Sequence, residues 1–277
     1  MTSAPMTTDV ELVDLLDEVW TSMDTIGAGL TEEQWKTGTE CPGWTVQDNL
    51  VHITALEAMS IGKNLPVAEL PDDLPHVKND FGRTNEQWIE SRRSWSGADA
   101  LAEFHAITRE RIAGLRALDD AGFGADSWTP QGPGTVRTLL PFRIFDSWVH
   151  EQDIRRALAM PGNLDSASAA HALGMMANPM AFVVGKKASA PDGATVVFSL
   201  QGPLARDLVI AVRNGRAKLV DGPAVDPLVV LTLGTETFTR LAAGRIDPAV
   251  AIAAGDVTIT GDDALGRRVV ENLNYLF

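Results

Sequence analysis

The chain has 277 residues, 45% hydrophobic and 22% charged, a balance that supports packed cores and excludes a disordered chain. Lys and Arg number 23 against 37 Asp and Glu, a formal charge of −14, and a field of that sign repels phosphate backbones. The densest basic spots, Arg92-Arg93 and Arg155-Arg156, are pairs rather than runs, so nucleic acid is not an expected partner.

Taken in chain order, residues 9–28 place Val10, Leu12, Val13, Leu15, Leu16 and Val19 near a 3.6-residue period and predict a helix ending before Gly27 and Gly29. A second helix begins at Thr45, where Thr45-Val46-Gln47-Asp48 is a short-armed capping box, and runs through Leu50, His52, Ile53, Leu56 and Met59. A polar loop rich in Pro and Asp covers 62–82. A third helix spans about 84–118, interrupted near Ser96-Gly97, and Gly132-Pro133-Gly134 marks a loop before a fourth, about 136–159. Four helices with mostly antiparallel neighbours predict a bundle. All 7 tryptophans and four of the five histidines precede residue 151, and β-branched content rises after about 165. Two domains are expected, 1–162 and 163–277, with Met160-Pro161-Gly162-Asn163 as the helix stop between them. In the second, Thr195–Leu200, Leu208–Val212, Ala217–Val220, Leu228–Leu233 and Val257–Thr260 read as strands. Asn214-Gly215 makes a tight hairpin, Thr235 caps a helix to about Ala243, and another helix starts at Asp262. The fold class is α+β, a four-helix bundle followed by a smaller α+β domain.

A single cysteine, Cys41, excludes an intramolecular disulfide and a cysteine-rich zinc module. Met1-Thr-Ser-Ala-Pro-Met6 has neither a positive charge nor an apolar core, so no secretory signal is expected, and no apolar run approaches the ~18 residues of a membrane span. The expectation is a cytoplasmic monomer or homodimer without a membrane partner.

The strongest local pattern is Asp146-Ser-Trp-Val-His150. Residues i and i+4 leave one helix face a turn apart, a spacing that suits two ligands of one metal and equally a surface ion pair. Asp153 lies on the same face, placed to orient a ligand from behind. His52 sits on a largely buried face of the second helix, where a histidine is either a core residue with one hydrogen bond or a third ligand facing the fourth helix. Two histidines and a carboxylate leave an open metal position, as in catalytic zinc sites, and the same set serves non-haem Fe(II).

The segment Cys41-Pro-Gly-Trp-Thr-Val-Gln-Asp-Asn-Leu-Val-His52 resembles the first signature of the mycothiol-dependent maleylpyruvate isomerase family, within the wider DinB-like four-helix metalloproteins. Asp146-Ser-Trp-Val-His150-Glu-Gln-Asp153-Ile-Arg155-Arg-Ala-Leu resembles its second. The resemblance covers the first ~160 residues, and the remainder is similar to the sterol-carrier-like domain that often follows. It implies a zinc ion held by His52, Asp146 and His150, with mycothiol as thiol cosubstrate. The implied activity is either cis–trans isomerisation of maleylpyruvate-like substrates or S-transfer to small electrophiles. The family usually has Glu at the position of Asp146, so the carboxylate here reaches one methylene less far.

Other residues carry weaker signals. Arg83 offers a two-pronged donor for a substrate carboxylate, or is a solvated helix-start arginine. Cys41 reads as a buried structural thiol, Trp44 as a packing residue, and His76, His105 and His171 as residues without identifiable partners. Arg240 and Arg245 have no assigned place. Beside the metal-dependent thiol enzyme stand a non-catalytic small-molecule or lipid-binding protein on the same scaffold and, lowest, an Fe(II) oxygenase. The oxygenases usually present their ligands from strands.

Overall fold

Thr8, Thr45, Asn79, Ser96 and Thr135 each accept a backbone N–H at a helix start, so the longer helices of the first 163 residues begin where the sequence supplies a cap. The computed structural model describes residues 7–64, 66, 68–71 and 73–274. Residues 1–6, read above as lacking a secretory signal, lie outside the described residues, as do 65, 67 and 72 of the predicted 62–82 loop. The chain divides into two units, Met1–Asn163 and Leu164–Phe277.

The first unit runs α1 (Asp9–Gly27), α2 (Glu32–Trp35), α3 (Val46–Ser60), α4 (Asp80–Glu90), α5 (Gly97–Arg116) and α6 (Asp120–Phe123). A hairpin of β1 (Asp126–Thr129) and β2 (Gly132–Thr135) leads into α7 (Val136–Ala157). Gly132-Pro133-Gly134, expected as loop, is therefore strand, with Pro133 opposite Trp128. A two-stranded ribbon has only edges, where proline's missing N–H costs no ladder bond.

The mostly antiparallel bundle is corrected by the side-chain pairings. α1 and α7 run parallel: Arg137 holds Asp9 through two 2.7 Å bonds, and further along Trp20 Nε1 donates to Ser147 Oγ at 3.0 Å and Ser22 Oγ to Glu151 at 2.6 Å. α3 and α5 also run parallel, since Gln47 Nε2 reaches the Trp95 carbonyl at 3.3 Å while Arg111 Nε reaches Glu57 at 3.3 Å. The long connection through α4 carries the chain back to the end where α3 began, as in bundles with crossover connections. α3 and α7 are antiparallel, with Glu57 opposite Arg143 and Asn49 opposite His150. α3 packs against α4, α5 and α7, so every residue from Val46 to Ala55 is buried. It thereby carries Gln47, Asp48, Asn49, His52, Thr54 and Glu57 into the interior.

The second unit contains α8 (Ala167–Ala177), α9 (Met180–Phe182), a π-turn at Val183–Lys187, and strands β3 (Thr195–Gln201), β4 (Arg206–Arg213), β5 (Arg216–Val220), β6 (Val229–Gly234) and β7 (Val257–Gly261). Helices α10 (Thr235–Ala242), α11 (Pro248–Ala254) and α12 (Asp263–Glu271) complete it. The sheet order is β5-β4-β3-β6-β7, antiparallel except for the β3–β6 pair. β3 is central and reads as a nearly continuous buried run, Thr195–Phe198. Thr235 is the first residue of α10 rather than its cap; the cap position is Gly234, without a side-chain bond.

By length and composition, the helical stretch Ala167–Lys187 is apolar enough to cross a membrane, although its apolar residues form no uninterrupted run of that length. Half of it is buried, and Leu173, Met176, Met180, Val183 and Val184 belong to the core.

Candidate metal centre

Before α3 the chain makes a tight turn. The Trp44 N–H donates to the Cys41 carbonyl at 3.1 Å, closing a turn with Pro42 and Gly43 at its centre. Gly43 has φ +80°, the second central position of a type II turn, and a Cβ there would lie 2.6 Å from Nδ1 of His76. Glycine is thus required both by the dihedral and by the imidazole beside it. The turn sets Trp44 with its ring centroid 4.9 Å from that of His52 and 5.5 Å from that of His150. Its indole N–H donates to Glu86 Oε2 at 3.1 Å. Glu86 is buried and also meets Arg93 and, at 3.1 Å, His76 Nε2. His76, without a partner in the sequence reading, is therefore paired across the 62–82 loop.

Facing helices bring together the three donors expected from the sequence. His52 Nε2 on α3 lies 3.3 Å from Asp146 Oδ2 on α7, and His150 Nε2 lies 3.7 Å from Asp146 Oδ1. One donor atom from each residue falls within 4.8 Å of the others, and both histidines are only 4% exposed. Ligand bonds of about 2.0–2.2 Å give a tetrahedral edge of about 3.3–3.6 Å, close to the two histidine–carboxylate separations, and two imidazoles with one carboxylate are a donor set that suits zinc or a similar divalent ion with a fourth position open.

The groups behind His150 favour the same set. His150 Nδ1 lies 2.7 Å from Asn49 Oδ1 and 3.2 Å from Asp153 Oδ2. Asn49 is held in that orientation because its Nδ2 donates to Thr39 Oγ1 at 3.0 Å and to the Thr45 carbonyl at 2.8 Å. Both neighbours of Nδ1 are acceptors, so Nδ1 carries a proton and Nε2 is the ring nitrogen left to serve as a ligand. Burial holds the His52 imidazole below its ordinary pKa despite the opposing pull of Asp146, so it is neutral at pH 7. Burial works to raise the Asp146 carboxyl, but the contact with His52 and the ion pair with Arg143 outweigh it and keep the group well below the usual carboxylate range.

Cys41, His150 and Asp153 also bring donors within 4.8 Å of one another. Those last two are already engaged, His150 by Asn49 and Asp153 by Arg156 at 2.7 Å.

Two family models match the chain: the mycothiol maleylpyruvate isomerase N-terminal domain over residues 16–155, just over half its length, and the corresponding C-terminal domain over residues 170–268. The chain belongs to the mycothiol maleylpyruvate isomerase family. In fold it is similar to the crystal structure of the mycothiol-dependent maleylpyruvate isomerase, at 16% identity and a TM-score of 0.56, covering 94% of this chain and 96% of that one. YfiT from Bacillus subtilis, described as a probable metal-dependent hydrolase with an unusual four-helix bundle topology, matches at 18% identity and a TM-score of 0.41, covering 58% of this chain and 93% of that one. The sterol carrier protein domain 2 of Helicoverpa armigera matches at 17% identity and a TM-score of 0.31, covering 41% and 90%. No curated protein sequence matches the chain.

A buried arginine that the sequence reading missed stands beside Asp146. Arg143 Nη1 donates to Asp146 Oδ2 at 2.8 Å and its Nε to Glu57 Oε1 at 2.6 Å. The signal was present three residues before Asp146, but its buried partner Glu57 is 86 residues away. Trp44, read as packing, borders both imidazoles and also packs on the cluster of Val51, Ala55, Trp88 and Ile89.

Arg83 lies in the first turns of α4, half-buried, and its guanidinium makes no hydrogen bond or ion pair among the described residues. Arg240 and Arg245 belong to the second unit, at the end of α10 and just beyond it, where Arg245 donates to the Ala243 carbonyl at 2.9 Å.

Proposed function

We propose that this chain is a cytoplasmic, metal-dependent thiol enzyme, with mycothiol as cosubstrate and cis–trans isomerisation of a maleylpyruvate-like conjugated diacid as its reaction. The observation that carries the reading is the buried His52–Asp146–His150 cluster, with His150 held as the Nδ1-protonated tautomer by Asn49 and Asp153.

His52, Asp146 and His150 would hold a divalent ion, zinc by donor type, with one position open. Bound there, such an ion supplies Lewis acidity and favours the thiolate form of an entering thiol at neutral pH. The protein's own side chains do the rest. Asn49 and Asp153 keep the His150 lone pair directed, and Trp44, fixed through Glu86, walls the imidazoles off from the turn side. Arg83 is the proposed donor for a substrate carboxylate. No protein nucleophile is needed, because the thiol cosubstrate is itself the nucleophile.

The test is turnover of maleylpyruvate by the full chain with mycothiol, before and after chelation and zinc restoration. Loss on chelation and recovery with zinc, both only in the presence of the thiol, is expected. Undiminished turnover in metal-free protein contradicts the reading. Turnover of electrophiles such as chlorodinitrobenzene in place of maleylpyruvate points to S-transfer instead.

A further inference from the structure

Arg143 is a buried cation placed against a proposed metal ligand, an arrangement that calls for an explanation. Its guanidinium is shared between two carboxylates: Nη1 on Asp146 Oδ2 at 2.8 Å and Nε on Glu57 Oε1 at 2.6 Å. The third nitrogen, Nη2, is buried and has no hydrogen-bond partner among the described residues. Glu57 is fully buried, and its other oxygen takes the Arg111 Nε at 3.3 Å. Arg143, Arg111, Glu57 and Asp146 together carry no net charge, so Asp146 is already neutralised before any ion arrives. The oxygen that Arg143 occupies is also the one that lies 3.3 Å from His52 Nε2.

We infer that Arg143 is a built-in competitor of the metal for Asp146, and that Glu57 sets the strength of that competition by drawing the guanidinium away from the metal site. The inference rests on the metal-site reading above and concerns how tightly that site holds its ion. A second cation near a divalent ion in a buried, low-dielectric site disfavours binding, and Arg143 also takes up lone-pair capacity on Asp146 Oδ2. Glu57 acts in the opposite direction at a distance, since its pairings run to Arg143 and Arg111 rather than to the cluster. The site is thereby set for an ion that exchanges. This differs from the usual supporting role, in which a neighbour orients a ligand and its removal weakens binding. The two roles predict opposite signs.

The experiment is cobalt(II) binding to the full chain, followed by the visible d–d absorption and by competition with a chelator. It compares wild type with Arg143→Gln, Glu57→Gln and the double variant, each checked for native helicity by circular dichroism. Arg143→Gln and the double variant are expected to bind cobalt about tenfold more tightly than wild type, and Glu57→Gln about tenfold more weakly. If Glu57→Gln does not fold, the other two variants still decide the sign. Weaker binding in Arg143→Gln, or equal affinity in all the folded proteins, overturns the inference while leaving the metal site intact. Absence of any cobalt band in wild type and Arg143→Gln alike overturns the metal-site reading itself, and this inference with it.

Discussion

Replacing Asn49 with alanine separates the support of His150 from the support of the fold. The side chain is fully buried and makes three hydrogen bonds: to His150 Nδ1 at 2.7 Å, to Thr39 Oγ1 at 3.0 Å and to the Thr45 carbonyl at 2.8 Å. Each partner keeps another bond after the loss. Asp153 remains 3.2 Å from His150 Nδ1, the Asn49 backbone N–H still reaches the Thr45 carbonyl, and Thr39 Oγ1 still donates to the Trp44 carbonyl. The cost is therefore near the net value of a hydrogen bond, about 1 kcal/mol each, rather than a full desolvation penalty, and about 3 kcal/mol in all. That leaves a folded protein if the unit has the ordinary stability of about 5–15 kcal/mol.

The metal should suffer separately. With only Asp153 left to fix the tautomer, affinity for zinc is expected to fall about 10–100-fold, the usual effect of removing a group that orients a ligating histidine. Asn49→Asp is the discriminating partner variant. It keeps an acceptor for His150 but loses both amide donors, so zinc affinity should stay near wild type while stability falls. Urea denaturation gives the stability change, and chelator competition gives the affinity. Equal zinc affinity in wild type and Asn49→Ala would refute the argument that Asn49 prepares His150 as a ligand.

Gly43→Ala combines a φ of +80° with a Cβ 2.6 Å from the His76 ring, so it should destabilise the first unit by about 1–2 kcal/mol from the dihedral alone and more from displacing His76; a urea midpoint equal to wild type contradicts this. Metal-free protein should lose stability as pH falls from 7 toward 5. His52 stays neutral when folded because burial holds its pKa down, whereas an unfolded histidine takes a proton below about pH 6.5 and so favours the unfolded state. His52→Gln should flatten that slope in denaturation curves, and an unchanged slope assigns it elsewhere. Arg83→Met should raise KM for a diacid substrate several-fold with little change in kcat or in zinc content; unchanged kinetics remove Arg83 from the substrate site.

Local chemistry made the helices that carry the three candidate donors legible. The Thr45–Asp48 capping box forms as written, with Thr45 accepting the Asp48 N–H at 3.2 Å, and Asp146 and His150 leave one face of α7 as their spacing requires. Helix direction was not legible, because it depends on where a connection returns the chain. The α4 crossover makes α3 and α5 parallel without leaving a mark on either helix's own periodicity. The groups around the donors were hidden for a related reason. Glu57–Arg143, Trp44–Glu86 and His76–Glu86 join residues on different elements, and a buried Glu or Arg looks in sequence like any surface charge. The helix α11 was readable in principle, since Asp247-Pro248 supplies both an N-cap and a first-turn proline. Strand β2 was not, since Gly-Pro-Gly-Thr has the composition of a turn and is held by pairing with β1.

The most direct measurement is metal content by elemental mass spectrometry, on wild type and His52→Ala purified without chelator or metal-affinity tag. The account predicts about one divalent ion per wild-type chain and essentially none in His52→Ala, with helicity retained in both because bundle packing supplies the stability. A metal-free wild type that stays so after zinc is added, or equal metal in the two proteins, contradicts it.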